Sequence, residues 1–366
     1  MKGNITLGII FANTNGRSIT QFADTRAAGS TPFGCRYRTI DFSLSAMVHA
    51  NIDKVAVIPQ SNYQSLMDHL GSGKAWDLAR KNEGLFILPP FSQSGRGVYN
   101  GKVDAIAAAI PFLTHSREKY VLMADSDVVF NFPLENMINE HIQSEADITI
   151  AYKKHTKGGV GFTVEDGRIT AIEHDIDAPF CENNSLDLFI IKKDLLISLI
   201  KQAQVHNYSD FMVDVLHRNI KSLFIKGYEA PGYAGIVDSM EKYYSQNMDL
   251  LDKDIRNDLF NKERPILTKM HDNMPTRYGF GSFAENSLIA DGCVIEGEVR
   301  SSIIFRGVKI GKNAKIDGCI LMQSTRIGEN SVLNCVITDK NVTVNEGRTL
   351  TGYRSFPVYV PKNASV

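Results

Sequence analysis

Directly after the apolar run Ile5–Phe11, the chain reads ANTNGRS from Ala12 to Ser18. A polar loop between a strand and a helix is where backbone N–H groups cradle phosphate. Such cradles use glycine, because a Cβ would hold the anion away from the backbone. This loop has one glycine, Gly16. Other chemistries find less footing. The five cysteines (Cys35, Cys181, Cys293, Cys319, Cys335) form no C-x-x-C pair and no zinc-type spacing, which is the usage of reduced thiols in a cytoplasmic protein. All nine histidines fall at or before His271.

The elements around this loop have two rhythms. Up to about residue 255, short apolar runs at Ile5–Phe11, Val55–Pro59, Leu85–Leu88, Tyr120–Ala124 and Ile148–Tyr152 read as strands. Helical patterns lie between them, around Ser43–Ala50, Tyr63–Leu70, Val103–Leu113 and Leu134–Gln143. This alternation predicts an α/β fold, a doubly wound and mostly parallel sheet that binds ligands beyond the carboxyl ends of its strands. After residue 285 the period becomes six: Ile289 and Ile295; Ile304, Ile310 and Ile316; Ile327 and Leu333. That is the hexapeptide signature of a parallel β-helix. The expected division is therefore 1–255, a linker over 256–284 holding Pro265 and Pro275, and a prism over 285–366. Hexapeptide acyltransferases use a histidine base within the repeats, and this prism contains none, so a structural or assembly role is expected of it.

With 40 basic and 41 acidic side chains, the balance gives no reason to expect nucleic acid as a partner. No stretch approaches the roughly 20 apolar residues that span a bilayer. A soluble, cytoplasmic protein is expected.

Four longer motifs appear in order: PFGCRYRTIDFSLS (Pro32–Ser45), SLMDHLGSGKAWD (Ser65–Asp77), YNGKVDAI (Tyr99–Ile106) and ITDKNVTVNEG (Ile337–Gly347). Together they resemble the bacterial ADP-glucose pyrophosphorylases, or glucose-1-phosphate adenylyltransferases. The resemblance implies a Rossmann-like nucleotidyltransferase domain, a left-handed β-helix, a tetrameric assembly, and synthesis of ADP-glucose from ATP and glucose-1-phosphate with Mg²⁺. That reaction needs cations and backbone N–H groups around the phosphates.

Several positions that carry this chemistry in the family are altered here. The pattern A-G-G-x-G-x-R-L falls on Ala12 to Ile19, so two glycines become Asn13 and Thr14, Gly16 is kept, and the arginine becomes Ser18. Arg17 stands one place early. In R-A-K-P-A the lysine becomes Ala28 and the proline Gly29. The L-A-G-D-H motif puts one metal aspartate at Asp127, beside Asp125. The second, from W-x-D-V-G-T, falls on Ile236, with Asp238 two residues on. Asp187 stands where the glycine of S-M-G-I-Y-V-F would admit the sugar. Asp104 keeps the aspartate of G-T-A-D-A, or caps the helix that follows.

These departures resemble the regulatory D-type branch of the family. By that resemblance the chain modulates a catalytic partner subunit in a hetero-tetramer and self-associates when alone. Arg26 and Arg38 match arginines that hold a sugar-phosphate effector such as fructose-1,6-bisphosphate, and Lys362 approximates a third cation. Thr25 replaces a neighbouring lysine. Two other readings remain at this stage. One is an active adenylyltransferase with a rearranged site built on Arg17, Asp127 and Asp238; the other is a module that senses nucleotide or sugar phosphate without chemistry.

Overall fold

The computed structural model describes residues 5–12, 19–81, 83–90, 99–154, 160–173 and 182–366. Nine strands form one sheet in the order Gly84–Ile87, Lys54–Ile58, Thr6–Phe11, Tyr120–Asp125, Asn183–Lys192, Ile148–Lys154, Ile225–Glu229, Arg168–Glu173, Gly161–Glu165. The first four run parallel. Asn183–Lys192 then enters antiparallel to both of its main neighbours. Along Thr6–Phe11 the side chains alternate between faces. Leu7, Ile9 and Phe11 pack against the Lys102–His115 and Lys193–Val205 helices. Ile10 faces the opposite way, toward the Thr39–His49, Gln64–Leu70 and Leu134–Ser144 helices. The sheet is therefore covered on both faces, as the unbroken apolar runs require.

Two of the sequence motifs meet beneath this sheet. One Asp41 oxygen accepts the Arg38 backbone N–H (2.9 Å) at the start of the Thr39–His49 helix. The other accepts Nε2–H of His69 (2.6 Å), which is buried edge-on against Trp76. Burial holds His69 below the usual histidine range, although Asp41 opposes that shift.

The C-terminal region is a three-sided left-handed parallel β-helix, each side a five-stranded sheet. Its strands pair in register, so the residues of one column stack. Ile295, Ile310, Ile327 and Val344 fill one corner of the interior; Val299, Ile316 and Leu333 fill another. The hexapeptide period marks these inward positions. The first rung begins at Arg277–Tyr278, which pairs with Val294–Ile295. That is ahead of the expected start at 285. The period was silent there because Tyr278 and Ala284 occupy the column positions instead of branched aliphatics.

A second column on the third side points outward: Leu288, Ile303, Ile320, Ile337 and Tyr359. Ile303, Ile320 and Ile337 are fully buried, packed with Phe22, Phe33, Tyr243 and Leu250 of the first domain. Each such burial contributes about 2 kcal/mol, so this ladder dominates the attachment of the two domains. At its end Arg26 reaches both carboxylate oxygens of Asp339 (2.5 and 2.6 Å), and Tyr359 donates to the same carboxylate (3.0 Å). Arg26 is 3 % exposed and Asp339 0 %. A buried pair adds little net stability once desolvation is counted, but losing one partner strands the other charge. Arg26→Met should therefore lower the unfolding free energy in urea by about 3 kcal/mol. Arg26→Met combined with Asp339→Leu should recover most of that loss.

Candidate functional site

The carboxyl ends of Thr6–Phe11 and Tyr120–Asp125 lie side by side, with Phe11 opposite Asp125. Over them stands the first turn of the Lys102–His115 helix, and beside them Asn183–Lys192 is bulged between Ser185 and Leu188. Three charged side chains converge in this crevice. Lys102 Nζ lies 2.8 Å from Asp125 Oδ1 and 3.9 Å from Asp187 Oδ1, and none of the three residues is more than 4 % exposed. The ammonium also sits over the rings of Phe11 (5.4 Å) and Phe189 (5.2 Å). Asp187 has φ 51°, a left-handed backbone suited to glycine that costs a side-chain-bearing residue about 1 kcal/mol.

Set on the family motifs, the cluster marks three coordinated departures. Lys102 stands at the threonine of G-T-A-D-A, Asp125 at the alanine of L-A-G-D-H, and Asp187 at the glycine of S-M-G-I-Y-V-F. Three small neutral positions have become one cation and two anions in contact. Asp187 was legible in the sequence as an obstruction to sugar. Lys102 and the role of Asp125 were not, because their motifs are far apart in the chain; the available signal was a simultaneous gain of opposite charges. Asp104, in the first turn of the helix, accepts the backbone N–H of Asn100 (3.1 Å), while the N-cap Gly101 has no side-chain cap.

The Val128–Phe130 strand pairs antiparallel with Ala234–Ile236, setting Ile236 opposite Val128. The Val237 N–H donates to the Asp127 carbonyl (2.8 Å). The two positions expected to bind metal are thus brought together, one a buried aspartate and the other a buried isoleucine. Magnesium takes oxygen ligands, and Ile236 offers none. Asp238, the nearest substitute, forms an ion pair with Lys242 one helical turn on (2.6 Å). Among the described residues no group of three or more metal-ligating side chains gathers anywhere. This donor set does not fit the family's two-aspartate magnesium site.

Ala28 opens a short 3₁₀ turn, Ala28–Ser30, whose Ala28 carbonyl accepts Thr39 Oγ1–H (2.9 Å). A Cβ on Gly29 would stand 2.8 Å from Ser126 Oγ. The change from proline to Gly29 thus accommodates Ser126, which itself fills a family glycine position. The loop residues Asn13, Thr14, Gly16, Arg17 and Ser18 lie outside the described residues.

The cations expected at an effector phosphate lie along the seam between the domains. Arg26 is held by Asp339, as above. Arg38 is half-buried, with Nη1 donating to the Ser65 carbonyl (2.6 Å) and near Ser65 Oγ (3.1 Å). Burial lowers its pKa to about 10, with Asp41 opposing the shift and Arg26 adding to it. Lys340, which the motif reading did not single out, lies next to them, and exposed Lys362 stands nearby. Burial, reinforced by Arg38 and Arg26, lowers the Lys340 pKa to about 7. Asp339 offsets this in part. Thr25 is exposed and bonded to its own turn (Phe22 carbonyl, 3.1 Å).

Comparison with known proteins agrees with both halves of this architecture. The Nucleotidyl transferase family matches residues 7–172, and the family of GlmU-like C-terminal hexapeptides matches residues 271–353. The chain is 34 % identical over 362 residues to the glycogen biosynthesis protein GlgD of Bacillus subtilis, covering 99 % of this chain and 97 % of the relative. It is 38 % identical over 318 residues to the GlgD of Geobacillus stearothermophilus (86 % and 83 %). A glucose-1-phosphate adenylyltransferase of Fusobacterium nucleatum is 30 % identical over 328 residues (86 % and 85 %). No described helix is long and apolar enough to cross a membrane.

Two outcomes test the electrostatics. Lys102→Thr alone leaves two carboxylates buried together and should cost about 3 kcal/mol in urea unfolding; adding Asp125→Ala and Asp187→Gly should restore most of it. Lys340 titrates lower folded than unfolded, so the unfolded chain binds more protons between pH 7 and 10.5. Its contribution to stability then rises with pH across that window. Lys340→Met should raise the thermal midpoint at pH 6.5 by several degrees, with the gain shrinking toward pH 9.5.

Proposed function

Because this chain belongs to the ADP-glucose pyrophosphorylase family and to its GlgD branch, we propose that it is a regulatory, largely non-catalytic subunit. It assembles with a catalytic subunit of the same fold and modulates ADP-glucose synthesis for glycogen. The observation that carries this reading is the buried Lys102–Asp125–Asp187 cluster. Adenylyl transfer needs cations directed at phosphate oxygens and a bound metal to hold developing charge. Here the crevice cation is neutralised by internal carboxylates, and the second metal position is Ile236. A chain that keeps its scaffold while directing these groups at each other is suited to binding a subunit rather than turning over substrate.

The seam cations support a companion reading. Arg38, Lys340 and Lys362 gather beside the Arg26–Asp339 pair, and burial with repulsion from Arg38 and Arg26 brings the Lys340 pKa to about 7, so its charged form is short of negative charge. A doubly charged sugar phosphate would supply the missing negative charge. It would also touch both domains, linking effector binding to their relative placement.

Purified alone, the protein should form ADP-glucose from ATP and glucose-1-phosphate at no more than a trace rate. Mixed with a catalytic relative, it should raise the rate or change the response to a panel of sugar phosphates. Substantial metal-dependent turnover by the lone chain would overturn the reading. Lys340→Ala should remove the sugar-phosphate response of the mixture while leaving its effector-free rate unchanged.

A further inference from the structure

Away from the crevice and the seam cations, a cleft of about 340 Å³ opens between the first domain and the prism. One wall is the Met240–Asp249 helix, which presents Tyr244, Ser245, Met248 and Asp249. The other is a corner of the prism, where successive rungs turn at Asn286, Ser301 and Gly318, each with a left-handed backbone (φ 42°, 41° and 58°). The Tyr244 hydroxyl crosses between the walls and donates to the Gly318 carbonyl (2.7 Å). A Cβ on Gly318 would stand 3.2 Å from that hydroxyl. Two rungs on, the same corner ends at Gly352. The chain then leaves the prism in a tight loop, where Tyr353 and Phe356 exchange backbone hydrogen bonds (3.1 and 2.9 Å). Arg354 of this loop lines the cleft. The two rings beside it are 74 % and 75 % exposed.

The lining selects the ligand. It carries one carboxylate, Asp249, and one guanidinium, Arg354, so it has no surplus of charge to attract a phosphate or a nucleotide. A purely apolar ligand would strip water from Ser245, Asn286, Ser301 and Asp249 without replacing its hydrogen bonds. A molecule with many hydroxyl groups and apolar C–H faces satisfies both halves of the lining. Its hydroxyls donate to carboxylate and amide oxygens and accept from guanidinium and amide N–H groups. The C–H face of a pyranose ring stacks on the negative face of an aromatic ring. Tyr353 and Phe356 stand on a loop whose backbone is already bonded, so stacking on them costs little ordering. Burial raises the Asp249 pKa; the Tyr233 hydroxyl that donates to it (2.9 Å) opposes the shift, and Asp252 adds to it. Further hydroxyl donors would stabilise that carboxylate.

We propose that this cleft and the aromatic loop beside it bind a neutral saccharide, the chain end of an α-glucan. The choice of glucan rests on the reading that this chain serves glycogen synthesis; the saccharide site itself does not. Binding there would hold the subunit on the polymer that its pathway extends.

The test is native electrophoresis of the purified full-length chain in gels with and without embedded glycogen, together with calorimetric titration of maltoheptaose. Glycogen should retard the wild type, and maltoheptaose should bind it. Tyr353→Ala combined with Phe356→Ala should weaken maltoheptaose binding by about tenfold and abolish the retardation. Both rings are exposed, so the thermal midpoint of this double variant should be unchanged. Ser245→Trp, which fills the cleft from an exposed helix position, should have the same effect on binding. Modulation of a catalytic relative, measured without glucan, should survive these changes, so failure of the saccharide site and failure of the regulatory reading are read separately. A wild type that glycogen does not retard and maltoheptaose does not bind would overturn the proposal, as would binding that these variants leave intact. Loss of the complex with the catalytic relative in the double variant, with no glucan bound by the wild type, would make the loop a protein interface and overturn it equally.

Discussion

The contact on which most of this molecule depends is the outward ladder of the prism, Leu288, Ile303, Ile320, Ile337 and Tyr359, buried against the first domain. Parallel register puts every member of the ladder on one side at one height per rung. A prism so built offers a flat apolar strip, and the aromatic side chains Phe22, Phe33 and Tyr243 meet it. Burial of this kind is non-directional and does not specify where along the strip the first domain should settle. The Arg26–Asp339 pair does, because Arg26 Nη2 reaches both oxygens of a buried carboxylate and Nη1 lies against Met322 Sδ, contacts that hold only at one position along the strip. Apolar area supplies the attachment and the ion pair supplies the register.

That arrangement has a consequence for the cations of the seam. Arg26 is held by the prism, so Arg38, Lys340 and Lys362 are brought together around a charge that is already neutralised. Burial first, then repulsion from Arg38 and Arg26, keeps Lys340 titrating near neutrality. The crevice shows the opposite condition. There the ammonium introduced at Lys102 is met by carboxylates introduced at Asp125 and Asp187 within the chain.

Much of the fold was legible in the sequence. Period-two and period-3.6 patterns gave the layered domain, since strands buried on both faces leave unbroken apolar runs. The six-residue period gave the prism wherever Ile or Leu fills the interior, and it failed at the first rung, where Tyr278 and Ala284 stand in the columns. The site was legible only as a set of absences, at Ala28, Asp187 and Ile236. What fills those absences depends on contacts between distant segments. Lys102 and Asp187 are 85 positions apart in sequence and 3.9 Å apart in space, and Gly29 makes sense only once Ser126 is found beside it. Arg26 likewise reads as a phosphate ligand until Asp339, more than 300 residues away, is placed on it.

The most direct measurement uses this chain in the company where it is proposed to act. A catalytic relative whose own metal-binding aspartates have been replaced by asparagine is mixed with this protein, and ADP-glucose formation from ATP and glucose-1-phosphate is followed with magnesium present. The account predicts no product above that of the inactivated relative alone, while the same protein added to the intact relative changes its rate. Product formed in the mixture with the inactivated relative would place the chemistry in this chain and contradict the account.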